Sequence, residues 1–105
     1  MSTSNDSKMM RSFYTLFILS NNSLGEFCVD RAVVPTLEYA YRTGQDVLSH
    51  EDVYGYVIVR TNHDHYGYQD SWQVINETVY GVDYTIYEHN GSIRIKEGRD
   101  SIVLV

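Results

Sequence analysis

The clearest pattern along the chain is an extended run over residues 11–20 that is apolar on both of its faces. Successive side chains of a strand point to opposite faces. The two alternating sets here are Phe13, Phe17 and Leu19 on one face and Tyr14, Leu16 and Ile18 on the other. A strand that is apolar on both faces is usually central in its sheet, with a covering layer on each side. We therefore predict a central strand at residues 11–20, a second strong strand at residues 54–61, and a polar loop at residues 62–71.

Residues 34–43 carry the strongest helix signals in the chain. Pro35 suits a first helical turn, because its missing N–H needs no partner there, and Gly44 suits the position just past the last turn. Between them, Leu37, Ala40 and Tyr41 share one helical face. The pattern predicts a helix that begins near Pro35 and ends before Gly44.

Residues 72–80 fit two descriptions. Their β-branched and aromatic side chains are typical of a strand. An N-cap at Asp70 or Ser71, with Trp72, Ile75 and Val79 at helical spacing, is typical of a helix. We predict a helix here and keep a strand as the alternative.

The dipeptide Asn90-Gly91 between two patterned runs predicts a tight hairpin, because both turn residues must accept positive φ. A two-residue loop fixes the pairing of His89 with Ser92, Glu88 with Ile93, Tyr87 with Arg94, Ile86 with Ile95, and Thr85 with Lys96. In that register Ile86, Ile93 and Ile95 share the core face, and Arg94 can lie over the Tyr87 ring. A short return strand at residues 27–29 and a buried strand at residues 102–105 complete the predicted elements.

These elements predict one small α+β domain over residues 11–105, mostly antiparallel sheet with one or two helices, after a flexible N-terminal tail at residues 1–10. A ferredoxin-like βαβ order is one arrangement that fits. A chain of 105 residues with 43% hydrophobic content can bury one ordinary core. No run approaches the ~20 apolar residues that a membrane helix needs, so we expect no membrane partner.

The negative charge of the chain is concentrated in its second half. The formal net charge is −6, and residues 43–93 hold eight acids against one base, Arg60, a net charge of −7. Such a surface attracts basic partners and repels phosphate backbones, so we expect a protein partner with a basic surface and no general binding to nucleic acid. The single cysteine, Cys28, cannot form an internal disulfide, which favours a reducing compartment and predicts a cytoplasmic location.

The composition favours binding over catalysis. The sequence has no glycine-rich phosphate loop and no nucleophile elbow, so we expect no cofactor and a non-enzymatic role. It has ten tyrosines, whose rigid apolar rings with polar tips suit binding surfaces. The leading hypothesis is a protein-binding module with an acidic, tyrosine-rich surface that acts by stoichiometric contact, as an inhibitor, an adaptor or a nucleic-acid mimic. Its predicted binding residues are Tyr54, Tyr56, Asp64, Tyr66, Tyr68 and Asp70.

A second hypothesis comes from a partial resemblance to the RNA recognition motif. Leu16-Phe17-Ile18 followed by Asn21 resembles the first-strand motif of that family, and Tyr54-Gly55-Tyr56-Val57 resembles half of its third-strand motif. The resemblance implies a single-stranded nucleic-acid binder in which Phe17 and Tyr56 are exposed together on an open sheet face and stack on bases.

A third hypothesis is a metal-dependent hydrolase with His and carboxylate ligands. His63 and His65 flank Asp64, and in an extended segment residues two apart point the same way, so the two rings could share a metal ion. A third ligand would have to come from a distant part of the chain. Two solvent-exposed loop histidines are the simpler interpretation, and we assign no metal site.

Overall fold

The computed structural model describes residues 11–100, which form an α+β domain of three layers. The described elements are β1 (Arg11–Asn21), β2 (Phe27–Val34), α1 (Leu37–Val47), β3 (Val53–His63), β4 (Gln69–Val79), β5 (Tyr84–His89) and β6 (Ser92–Glu97). The first four strands make one sheet of order β2-β1-β3-β4, and β5 and β6 make a separate hairpin. Every neighbouring pair of strands is antiparallel, which confirms the predicted fold class.

The central position of β1 follows from its two apolar faces. Leu16 belongs to a core cluster with residues of α1, whereas Phe17 and Leu19 belong to a second cluster with residues of the β5–β6 hairpin. The helix therefore covers one face of the sheet and the hairpin covers the other. Both neighbours of β1 are sheet strands, as the pattern predicts for a strand that is buried on each side.

A split β-α-β unit links the middle of the chain. Because β2 and β3 are both antiparallel to β1, they run parallel to each other, with α1 as the crossover and β1 lying between them. A ferredoxin-like domain contains two such helical crossovers. Residues 11–100 contain one, and the strand enclosed by it precedes the unit in sequence. The expected βαβ order is thus present, but the sheet order β2-β1-β3-β4 contains it only once.

The helix begins and ends later than the sequence analysis predicts. Thr36 is the N-cap, and its Oγ1 accepts a hydrogen bond from the Tyr39 backbone N–H at 3.0 Å, so Pro35 lies before the helix. The prediction that Gly44 follows the last turn was wrong, since Gly44 is a buried position inside α1. A Cβ atom there would lie 2.6 Å from the ring of Tyr56. Gly44 allows the helix to approach the sheet closely.

The predicted helix at residues 72–80 was also wrong, because residues 72–79 belong to strand β4. It pairs with β3 along its length, from Gly55 opposite Val79 to His63 opposite Gln69. Its side chains are divided between the two faces of the sheet: Trp72, Val74 and Val79 pack with the hairpin cluster, whereas Ile75 packs with the helix cluster. The β-branched and aromatic composition was the better guide, because pairing with β3 supplies partners that outweigh helical spacing. The connection between β3 and β4 shortens accordingly to residues 64–68.

The hairpin matches its prediction pair by pair, from Thr85 opposite Lys96 to His89 opposite Ser92. Asn90 has φ 50° and Gly91 has φ 78°, the positive values that a two-residue turn requires. The cation over the Tyr87 ring is Lys96, at 5.3 Å from the ring centroid, and not the predicted Arg94. The return strand is confirmed as β2, longer than predicted. The predicted tail at residues 1–10 and terminal strand at residues 102–105 lie outside the described residues.

Candidate functional site

The β3–β4 loop, residues 64–68, is held in one conformation by Asp64. A carboxylate oxygen of Asp64 accepts hydrogen bonds from the backbone N–H groups of Tyr66 at 2.9 Å and Tyr68 at 3.0 Å. The Asp64 backbone N–H donates to the Tyr68 carbonyl, and the Gly67 N–H donates to the Asp64 carbonyl, each at 2.9 Å. Asp64 and Tyr68 thus pair across the three residues 65–67. Gly67, the last of these, has φ 91°, the left-handed conformation that closes a three-residue hairpin turn. The spacing Asp-x-x-Gly is a known turn signal, so the sequence contained the information for this loop.

The loop presents aromatic side chains to solvent. Tyr66 is 75% exposed and Tyr68 is 73% exposed. The His65 ring lies against Tyr66, with 3.9 Å between ring centroids. Asp70, which follows the loop on β4, is exposed, and its carboxylate makes no hydrogen bond or ion pair within residues 11–100. This loop therefore combines a fixed backbone with exposed rings and a free carboxylate.

The six predicted binding residues do not form one surface. Asp64, Tyr66, Tyr68 and Asp70 meet at the β3–β4 loop, as expected for neighbours in sequence. Tyr56 is 1% exposed, and its hydroxyl accepts a hydrogen bond from Gln45 at 2.7 Å, so it belongs to the core. Tyr54 is half-buried at the other end of β3, where its hydroxyl donates to the Asn21 side chain at 3.1 Å. Asp64 lies ten positions further along the chain, a distance of roughly 33 Å in an extended strand.

The acidic residues are likewise divided between the two ends of the sheet. Asp46, Glu51 and Asp52 lie near the C-terminal end of α1 and the start of β3, all exposed. Asp64 and Asp70 lie at the opposite end, at the β3–β4 loop. The window of net charge −7 that is continuous in sequence is therefore not one acidic face.

The geometry does not provide the stacking platform that the resemblance to the RNA recognition motif implies. Phe17 is 2% exposed and packs with the hairpin cluster, whereas Tyr56 packs with the helix cluster on the opposite face of the sheet. The hairpin covers Phe17 and the helix covers Tyr56, so neither ring is open to a base.

Comparison with known proteins adds no information about the site. No family model, curated protein or solved structure matches the chain.

The histidines at the loop have structural contacts. The His63 ring lies 3.3 Å from the Gly67 carbonyl oxygen through Nδ1 and 3.2 Å from the Thr61 hydroxyl through Nε2, so both ring nitrogens are engaged. The rings of His63 and Phe13 form an edge-to-face pair, with 5.1 Å between their centroids. Within the described part of the chain, no three His, Cys, Asp or Glu residues are placed to hold a metal ion. His63 thus joins the loop to the sheet, and His65 extends the exposed aromatic surface.

Two groups with shifted pKa values lie away from the loop, in and beside the hairpin layer. Burial, reinforced by a hydrogen bond of 2.5 Å to the Glu77 carboxylate, raises the pKa of Tyr84 well above its usual range. The hydrogen bond from Lys96 to Asp100 raises the pKa of Lys96. The Tyr84–Glu77 bond links the hairpin to β4, so we assign it a structural role. No helix among residues 11–100 is long and apolar enough to cross a membrane.

Proposed function

We propose that the protein is a non-enzymatic binding module that contacts a protein partner through its β3–β4 loop. One observation carries this proposal: Tyr66 and Tyr68 are about three-quarters exposed on a loop whose backbone is fixed by four hydrogen bonds to Asp64. The loop offers contact chemistry, aromatic faces with hydroxyl tips, and not a reactive group. Inhibition or adaptor activity would both use such a contact.

The fixed loop supports tight contact because its backbone is already ordered before a partner binds, so little free energy is lost on binding. Association loses free energy wherever loops and side chains must become ordered at the interface, so a loop that is ordered beforehand binds better. Tyrosine has few rotatable bonds for its contact area, which is why binding loops are rich in it. Truncating a tyrosine that anchors an interface typically costs more than about 1 kcal/mol.

Charge supports a partner with a basic surface. The chain carries a formal net charge of −6, and Asp70 places a free carboxylate beside the two tyrosines. Exposed charges steer encounter and change association rates more than dissociation rates. Rings and charge therefore have separable effects: Tyr66 and Tyr68 set how long the complex lasts, and the negative charge near them sets how fast it forms.

The first test compares capture of proteins from a native lysate of the source cells by three immobilised forms of the full chain. They are the unaltered protein, the double variant Tyr66→Ala/Tyr68→Ala, and the control Tyr80→Ala. Tyr80 is 72% exposed but lies at the far end of the sheet, where its N–H bonds to the Tyr54 carbonyl. A partner retained by the unaltered protein and by Tyr80→Ala, and lost by the double variant, supports the loop. A partner retained equally by all three would end the proposal.

The second test measures binding rates with that partner. Tyr66→Ala or Tyr68→Ala should speed dissociation, with a loss of about 1–2 kcal/mol in binding free energy. Asp70→Asn should slow association at low salt, and Asp46→Asn, which removes an acid at the opposite end of the domain, should slow it less. Equal effects of the two charge variants would place the contact elsewhere.

A further inference from the structure

A cleft of about 320 Å³ opens between the turn of the β5–β6 hairpin and the sheet beneath it. Phe17 forms an apolar floor, and the hydroxyl-bearing Thr15 and Thr61 beside it are also buried. Phe13 and His63 line the cleft as a pair of aromatic rings. Small-molecule sites typically have this character, a mostly apolar concavity with a few polar groups.

A second cleft of about 250 Å³ continues the first along β2 and β6. The two share Phe17, Arg31 and Ile93 among their lining residues. The second adds Arg94 and Tyr87. Together they form one groove, the β2–β6 groove, with apolar side chains below and two arginines along its length.

Within residues 11–100, neither arginine of the groove has an acidic partner. The ion pairs among residues 11–100 engage Arg42, Lys96 and Arg99, and neither Arg31 nor Arg94 forms one. Both are exposed. In a chain with 14 acids and 8 bases, two arginines at one groove that form no ion pair within the described residues are a local reversal of charge. Guanidinium groups recognise carboxylates through paired hydrogen bonds.

We propose that the β2–β6 groove binds a small organic anion with an apolar body, such as an aromatic carboxylate. The apolar body would lie on Phe17 and against Phe13, and its carboxylate would meet Arg31 and Arg94. The proposal is independent of the β3–β4 loop as a protein contact, because Tyr66 and Tyr68 are not among the residues that line the groove.

The test is a titration of the full chain followed by heteronuclear amide NMR, with three probes that share a phenyl ring and differ in charge. Phenylpropionate is the anion, phenylpropanol is neutral, and phenylpropylamine is the cation. Phenylpropionate should shift the amide signals of Val33 and Ile93 and should bind about tenfold or more tightly than phenylpropanol, as expected for one charge-assisted contact. Phenylpropylamine should bind least.

Variants assign the charge effect to the groove. Arg31→Gln and Arg94→Gln should each weaken phenylpropionate binding by about tenfold and leave phenylpropanol binding unchanged. Arg42→Gln, an exposed arginine on the helix, is the control and should change neither. Inorganic phosphate tests for recognition of anionic charge alone. Any of three results would overturn the proposal. The three phenyl probes could bind with equal affinity, both arginine variants could bind phenylpropionate as tightly as the unaltered protein, or phosphate could bind as tightly as phenylpropionate.

Discussion

For the substitution Gly44→Ala, helix propensity and packing predict opposite changes in the free energy of unfolding. Inside a helix, alanine is favoured over glycine by about 1 kcal/mol, so the local preference predicts a more stable protein. The structure predicts the reverse. An alanine Cβ at this position would lie 2.6–2.7 Å from three ring carbons of Tyr56. Carbon atoms in contact prefer about 3.5–4.0 Å, so the ring or the helix must move by about 1 Å.

Tyr56 has little freedom to make that movement. It is almost fully buried, and its hydroxyl is bonded to Gln45 in the same helix. Overpacking of a core by one methyl group typically costs about 1–3 kcal/mol, and a fixed ring places this case near the upper end. After the propensity gain is subtracted, we expect Gly44→Ala to lower the free energy of unfolding by about 1–2 kcal/mol and the Tm by several degrees.

The assay is urea unfolding followed by the fluorescence of Trp72, the single tryptophan, as a double-mutant cycle with Tyr56→Leu. Leucine lacks the rigid ring and the hydroxyl that is bonded to Gln45, so its side chain can take a rotamer that avoids the new methyl group. In the Tyr56→Leu background, Gly44→Ala should therefore be neutral or stabilising by up to about 1 kcal/mol. If Gly44→Ala raises the stability of the otherwise unaltered protein, the close approach of α1 to β3 is not a tight contact.

Three further changes test the loop, the hairpin turn and the link between layers. Asp64→Ala should speed hydrogen exchange of the Tyr66 and Tyr68 amides, whereas Asp64→Asn, which keeps an acceptor oxygen, should not. Gly91→Ala should lower the free energy of unfolding by about 1 kcal/mol in urea, because alanine resists the left-handed conformation. The pKa of Tyr84 is raised in the folded protein, so the unfolded chain loses this proton first and stability should fall as pH rises above the ordinary tyrosine value near 10. Tyr84→Phe should make that alkaline fall shallower in a pH series of urea melts.

Local patterns predicted the elements whose partners are close in sequence or fixed by burial. The Asn90-Gly91 turn specifies its own register, and the doubly apolar β1 required a layer on each face. The errors came where a distant partner decides. Gly44 has the sequence signal of a helix end, but it lies inside the helix because the Tyr56 ring fills the space that a side chain would need. Residues 72–80 have helical spacing, but most of them form a strand because β3 offers an edge for pairing.

The two tyrosine pairs show why the site was only partly predictable. Tyr54 and Tyr56 have the same spacing as Tyr66 and Tyr68, and alternation predicts that they share a face. The register between β1 and β3 shifts where Gly55 faces Leu19 and Val53 faces Ser20, which leaves Tyr54 as an extra residue in β3. This bulge sends Tyr54 to the hairpin side and Tyr56 to the helix side. Sequence spacing therefore does not separate core tyrosines from surface tyrosines, whereas pairing does.

The loop and the groove meet at His63, the last residue of β3, and their independence can be tested through it. His63 lines the groove and also contacts the Gly67 carbonyl oxygen in the loop. The loop has a second anchor, because the Asp64 carboxylate holds the Tyr66 and Tyr68 amides without His63. Saturating the groove with phenylpropionate should therefore leave the hydrogen exchange of those two amides unchanged while the groove signals shift. Faster exchange in the loaded protein would show that the His63 contact, and not Asp64, keeps the tyrosines in place, and the two sites would then be coupled.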